Sequence, residues 1–306
     1  MQILRNTYRC LTAIVSNLKM MCIQKIPAFF LLLLAATVPL FAFGKCIGDQ
    51  SAKTSYSVYI VPQLTVTQTY SHWAPLLEHL GSKTQQCFEL IIPQTIPLFE
   101  KALLSGKPDF VFMNPYHAVL AFRAHQYIPL IADGKNKLDG IIVVRADSNF
   151  SELKSLNNLT IAFPAPNAFA ASLLLRATLA KEGVVIKPIY VNTHQNVYRS
   201  VIMGDASAGG GVNNTLDREL AEIKAQLKIL YKTPSFMPHP FAVNPRVPLN
   251  NQRAVRDAFI AMKNDPALIK ILNDVQIPDP IVVNYKKDYA PLEKLNLEKF
   301  VVISEN

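Results

Sequence analysis

Between Ser55 and Asp133 the chain alternates short apolar runs with helical patterns, and this alternation restricts the fold more than any other feature. "SYSVYIVP" (55–62) reads as a strand. "TYSHWAPLLEHLGSK" reads as a helix with Trp73, Leu76, Leu77 and Leu80 on one face and Gly81 as its stop. "CFELIIPQ" (87–94) is a second strand, and "TIPLFEKALLSGKPD" a helix with Leu98, Ala102 and Leu103 inward and Gly106 at its end. "FVFMN" (110–114) is a buried strand; Asn114 and Pro115 suit the cap and first turn of "YHAVLAFRAH". "YIPLIAD" follows as a strand. Such a pattern predicts an α/β domain with a largely parallel sheet.

A second α/β unit spans about 140–232. Its strands are "GIIVVR", "LTIAFP", "VIKPIYVN" and "LKILYKTP", with "DASAGGGVNN" as a short glycine-rich strand or turn. "SELKSLNN" is a short helix, "THQNVYRSVIMG" a helix capped by Thr193 and ended by Gly204, and "TLDRELAEIKAQL" another. The helix "RAVRDAFIAMKND" and the strand "PIVVNY" then return to the first unit, before a mostly polar tail. The expected domains are 45–139 with 233–306 as one lobe and 140–232 as the other. Crossings at about 134–142 and 232–236 form a hinge between them.

Residues 1–44 carry Arg5, Arg9, Lys19 and Lys25, no acid, and no charge at all from Ile26 to Gly44. A basic start, a short apolar run and a small-residue exit predict a secretory signal peptide cut before Lys45, and hence a periplasmic protein. Met20 or Met21 would also serve as a start. The rival is a retained membrane anchor, against which Pro27 and Pro39 argue. Lys45 stands where a lipobox before Cys46 needs a small residue. Of the net charge of +9, these four cations account for +4, leaving +5 without a basic run; nucleic-acid binding is not expected. Two cysteines remain beyond the leader, Cys46 and Cys87, either a bridge or two free thiols.

Ligands of open α/β sheets sit beyond the carboxyl ends of strands, where helices begin. That rule selects Gln63, Asn114, Tyr116, His194 and Gly210, together with the turn in "FPAPNAFAASLLLRATLA" (163–180). In that turn free backbone N–H groups stand at a helix start. Gly210, within "GGG", offers close backbone approach to a ligand. Enzyme signatures are missing: no H-E-x-x-H, C-x-x-C, Walker loop or G-x-G-x-x-G occurs, and "GDASAG" is not a G-x-S-x-G elbow. His72 and His79 read as solvated helix residues. No enzyme activity, metal or cofactor is expected.

The strings "GKPDFVFMNPYHAVL", "LDGIIVVRADS", "LTIAFPAPNAFAASLLLR", "YVNTHQNVYRSVIMGDASAGGG" and "PHPFAVNPRVP", in this order, resemble the PhnD-type periplasmic substrate-binding proteins of phosphate/phosphite/phosphonate ABC transporters. The resemblance covers about 55–262 and implies the type 2 periplasmic binding protein fold, two α/β lobes joined by two hinge crossings. It implies a solute receptor that closes on its ligand and docks on an inner-membrane permease. The chain is expected to act as a monomer. In that family the loop opening the second lobe's first long helix is rich in Ser and Thr, whose hydroxyls hold phosphonate oxygens beside backbone N–H groups. Here it reads Asn167-Ala168-Phe169-Ala170-Ala171-Ser172, and only Ser172 keeps a hydroxyl. The family's helix-start histidine matches His194, and Tyr116 lies two beyond the Asn114 that replaces a tyrosine.

Hydrogen bonds to charged groups contribute about 1.5–3 kcal/mol each, so the missing hydroxyls weaken phosphonate binding. Backbone N–H groups of 168–171 and the helix dipole remain, and Phe169 is placed to pack on an organic portion of a solute. The expected ligand is a small anion or zwitterion, phosphonate itself being left open. The alternative is a periplasmic sensor acting on a separate membrane signalling protein. An enzyme on the same fold, such as a pyrimidine-precursor synthase, lacks its Cys-rich motif here.

Overall fold

A computed structural model describes residues 46–302; the expected signal peptide, 1–44, lies outside the described residues. The first unit contains strands β1 (Ile47–Gly48), β2 (Ser55–Ile60), β3 (Cys87–Ile91), β4 (Phe110–Phe112) and β5 (Ile128–Asp133), with helices α1 (Val66–Thr84), α2 (Ile96–Leu104) and α3 (Pro115–His125). The second contains β6 (Gly140–Arg145), β7 (Thr160–Phe163), β8 (Lys187–Tyr190), β9 (Ala208–Val212) and β10 (Leu227–Lys232). Its helices are α4 (Leu174–Lys181), α5 (His194–Met203), α6 (Asn213–Asp217) and α7 (Ala221–Lys224). The chain returns through β11 (Phe241–Val243), α8 (Leu249–Ala261), α9 (Ile269–Asp274) and β12 (Pro280–Val282).

Two sheets result, ordered β1-β3-β2-β4-β11-β5-β12 and β10-β6-β9-β7-β8. The first was expected to be largely parallel, and both are mixed. β2 is parallel to β3 and β4, but β11 enters antiparallel between β4 and β5. β7 is parallel to β8 and β9, whereas β6 runs antiparallel to β9 and β10. β11 comes from "PHPFAVNP", a run too short and proline-flanked to read as a strand. It is nevertheless central and fully buried, because Phe241 stacks on Phe110 (5.7 Å) and lies 6.1 Å from Trp73. Aromatic pairs of this kind contribute about 0.5–1.5 kcal/mol beyond their burial.

Other expectations are corrected by packing. α1 runs through Gly81 to Thr84, because Gly81 admits β1: a Cβ there would lie 2.5 Å from the Gly48 Cα. The disulfide Cys46–Cys87 fastens β1 to β3 at the same place. α2 buries Ile96, Phe99, Glu100 and Leu103, while Leu98 faces solvent. The predicted helix after "GGGVNN" is two short helices, α6 and α7.

The crossings pair with each other. Leu138 and Phe236 exchange both backbone hydrogen bonds at 3.0 Å, and Thr233 N–H donates to Gly140 O at 2.9 Å. Asp139 accepts from Ser235 Oγ (2.6 Å) and pairs with Lys232 (2.7 Å). The tail, mostly polar in sequence, buries Tyr285, Tyr289, Leu292 and Leu297. Tyr285 stacks on Phe122 of α3 at 3.7 Å, and Arg176 of α4 donates through Nη2 to Phe300 O at 2.7 Å, so the tail touches both lobes.

Candidate functional site

Helix N-termini meet between the lobes. Thr95 caps α2 and leaves Ile96 at its first position. Asn114 caps α3, its Oδ1 accepting from His117 N–H at 2.7 Å. Thr193 caps α5 and places His194 first. After β7, Pro164 and Pro166 hold the chain extended and delay the helix; a π-helical turn, Phe169–Leu173, then leads into α4. In that turn Ser172 and Leu173 N–H both donate to Ala168 O (2.8 and 3.1 Å). The N–H groups of Phe169, Ala170 and Ala171 find no acceptor among the described residues.

Two glycines set the direction of those peptides. A Cβ on Gly140 would lie 2.3 Å from Ala170 O, and one on Gly210 2.2 Å from Ala171 O. The carbonyls therefore rest on β6 and β9. Because a trans peptide opposes its C=O and N–H, the Ala171 N–H points away from the sheet.

The inner cavity between the lobes is about 20 Å³, room for about one water. Gln63, Asn114, Ala168, Phe169, Ala170, Ala171, His194 and His239 line it, with Ile96 and the aliphatic side chains of Val61, Leu138 and Val212. Among the described residues no Lys, Arg, Asp or Glu side chain lines it. A larger groove of about 470 Å³ adjoins it, bordered by Gln68, His72, Arg218, Glu219 and Asp274, with Gln63 and His194 common to both spaces. Arg218 Nη2 donates to Asn273 O at 2.7 Å, and burial raises the Glu219 carboxyl.

The structure brings together Gln63, Asn114, Ala168, Phe169, Ala170 and His194, and gives other work to the remaining expected contacts. Ala168 N–H is directed to Ala165 O at 3.4 Å, so its share in the cavity is its methyl surface. The Phe169 ring packs on the chain itself, parallel to Tyr116 (6.2 Å) and edge-on to Phe236 (5.4 Å). Tyr116 lies behind that ring and does not line the cavity. Its hydroxyl is buried beside the Glu298 carboxylate, and burial with that nearby charge pushes it up to about 12. Asn167 is spent on other groups: Nδ2 donates to Glu100 Oε2 (3.0 Å) and Val302 O (2.9 Å), and Oδ1 accepts from Val302 N–H (2.9 Å). Ser172 is fully buried, its Oγ accepting from Arg176 Nε at 3.2 Å. At Gly210 the close approach shown is that of Ala171 O and the Phe163 ring.

Sequence reasoning overlooked His239 and His117. His239 stacks on Phe112 (5.4 Å), and its Nε2 accepts from Gln63 Nε2 at 3.1 Å. Gln63 Oε1 accepts from Gln276 Nε2 at 3.2 Å, so an amide chain fixes the His239 tautomer. Burial, reinforced by His117 and His194, holds His239 down to about 3. Burial alone holds His194 to about 4, and its Nδ1 is buried without a partner. His117 donates from Nε2 to Glu100 Oε1 at 2.8 Å. The proline-flanked "PHPF" was the available signal for His239; the strand-exit rule reaches His117 at the end of 113–117 but gives it no role of its own. Among the described residues no cluster of His, Cys, Asp or Glu could hold a metal ion, and no helix is long and apolar enough to cross a membrane.

The family model for the periplasmic substrate-binding protein of the phosphonate ABC transporter matches residues 58–289. No curated protein matches the sequence. A binding protein component of an ABC phosphonate transporter from Pseudomonas aeruginosa is 17% identical, with TM-score 0.71 over 79% of this chain and 85% of that one. PhnD1 from Prochlorococcus marinus, in complex with methylphosphonate, is 15% identical, with TM-score 0.71 over 79% and 96%. An ancestral arginine-binding protein bound to arginine is 17% identical, with TM-score 0.53 over 72% and 96%. These likenesses establish the fold as that of type 2 periplasmic binding proteins, two lobes joined by two crossings. The family match extends over most of the chain, which therefore belongs to the periplasmic substrate-binding proteins of phosphonate ABC transporters, transport receptors rather than enzymes.

Proposed function

We propose that this chain is the receptor that collects a small anion or zwitterion in the periplasm and presents it to an inner-membrane ABC permease. One observation carries the reading. The N-termini of α2, α3, α5 and the turn leading into α4 border a cavity lined by no charged side chain among the described residues. Each such terminus carries roughly half a positive charge, and unpaired N–H groups are ready donors for an oxyanion. The three free N–H groups at 169–171 take the place of hydroxyls.

The lobes 45–139 with 233–306, and 140–232, would rotate about the paired crossings and close on the solute. A solute touching both lobes shifts the population toward the closed form. The inner cavity, with room for about one water, would have to widen to take a compact headgroup, and the groove beyond Gln63 and His194 gives room to a substituent. Residues 1–44 would direct export, and the mature chain would act as a monomer.

Calorimetric titration of the mature protein with phosphate, phosphite, alkylphosphonates and amino acids tests the reading. Saturable binding of an anion or zwitterion supports it. Binding of cations alone, or of none of these solutes, overturns it. N-terminal sequencing of the exported protein and its hydrodynamic size test the leader and the monomer.

A further inference from the structure

The inner cavity presents an electrostatic imbalance. Its lining contains helix N-termini and amides but no fixed cation among the described residues; its ionisable side chains are His194 and His239. An anion sealed there loses its water, and helix dipoles stabilise it without adding net positive charge to the site. The remaining route to neutrality is a proton on an imidazole.

The two imidazoles are not equivalent. His239 Nε2 already accepts from Gln63, whose own oxygen accepts from Gln276; protonating that nitrogen would set donor against donor and require both amides to turn over. His194 has no such donor clash; the N-terminus of α5 disfavours its cation until an anion is present. It is 4% exposed, stands at the first position of α5, and its Nδ1 has no partner. From the first lobe it faces Gln63 and His239, with the His117–Glu100 pair behind Asn114. The π-helical turn offers it no ionisable group. In the outer groove it meets Arg218 and Glu219 of the α6 end, His72 of α1 and Asp274 of α9. Among those side chains the two acids outnumber the one arginine, so the groove's fixed charges do not oppose a cation.

We propose, resting on the anion-receptor reading above, that the site takes up a proton together with its anion and that His194 carries it. The ligand class is then a compact oxyanion, held as an ion pair with an imidazolium rather than by arginine or lysine. Without the anion, burial keeps this ring neutral at neutral pH. A unit negative charge about 4 Å away strengthens proton binding about a thousandfold at an effective dielectric of 20. That brings the ring to about half protonation near pH 7, and a dianion takes it further.

The test uses methylphosphonate and inorganic phosphate with the mature protein. Calorimetry in buffers of different ionisation heat, near pH 6 and near pH 8, counts protons; ring-nitrogen NMR of the anion-bound protein locates them. The expected result is uptake of about half a proton or more per anion near neutral pH, and binding about tenfold tighter near pH 6 than near pH 8. The His194 ring becomes doubly protonated while His239 stays neutral. In His194→Gln the ring-borne uptake disappears, and residual binding loses this part of its pH slope. Binding with His194 neutral, whether no proton is taken up or the proton resides on the ligand or on His239, overturns the inference while leaving the receptor reading intact. Failure of both anions and every other solute in the panel above to bind overturns the receptor reading itself.

Discussion

Asn167 Nδ2 donates to Glu100 Oε2 at 3.0 Å, joining the loop before α4 to a carboxylate of the opposite lobe. The other oxygen of Glu100 accepts from His117, and Asn167 pairs with both the N–H and the carbonyl of Val302. One carboxylate and one amide thus tie together two lobes and the tail. The position expected to hold a ligand is a clasp.

Asn167→Ala should therefore act on stability more than on ligand recognition. It removes the bond to Glu100 and both bonds to Val302, and leaves a buried carboxylate oxygen without its donor. The expected loss is about 1–3 kcal/mol in urea unfolding, together with faster proteolysis of the tail. Unchanged unfolding with lost anion binding would return Asn167 to the site.

Gly210→Ala places a methyl group against Ala171 O and the Phe163 ring. The turn at 169–171 must move, with an overpacking cost of about 1–3 kcal/mol. Anion affinity should fall as the turn is displaced. A variant with normal stability and normal affinity would show that β9 does not position the turn.

The Cys46–Cys87 bridge closes a separation of 41 residues. Chain-entropy arguments give about 4 kcal/mol for a loop of that size, with measured bridges typically at 2–4. Reduction should lower the melting temperature measured by calorimetry, and Cys87→Ala should match the reduced protein. Equal melting under both conditions would mean that β1 is held by Gly48 and Gly81 packing alone.

Acid should weaken the fold through its buried imidazoles. His194 and His239 are held to about 4 and about 3, below the ordinary 6.5, so the unfolded chain binds more protons than the folded one between those values. Their penalty is nil above about pH 7 and grows as pH falls toward 4. Near pH 5 it is roughly 2 kcal/mol per imidazole. Urea unfolding at neutral and mildly acidic pH should show this slope, and His239→Gln should flatten it. A slope untouched by that substitution would assign the acid sensitivity to other groups.

The alternation of strands and helices, and the caps at Asn114–Pro115 and at Thr193 with Gly204, were legible because local rules determine them. What escaped depends on contacts remote in sequence. β11 is three residues long, and its identity comes from Phe110 and Trp73 more than a hundred residues earlier. Gly81 looked like a stop because Gly48, its reason for being small, lies in another element. The glycine triplet is bare for α5 as well as the turn: Gly209 and Gly211 admit Val197 and Tyr198. At the candidate site, strand-exit logic brought out His194, Asn114 and Gln63. It could not tell that Asn167 and Ser172 turn to Val302 and Arg176, since nothing adjacent in the chain announces those partners.

The tail adds a third, non-covalent connection to the two crossings. Tyr285 sits on α3, while Phe300 and Val302 are held by Arg176 and Asn167 on the other lobe. For the lobes to part, the last turn of the tail must detach from one side first. Its bonds lie off the cavity and do not distinguish one solute from another. In the proposed receptor these bonds would oppose opening whatever the solute, a contribution made at Phe300 and Val302 rather than by the ligand's own contacts.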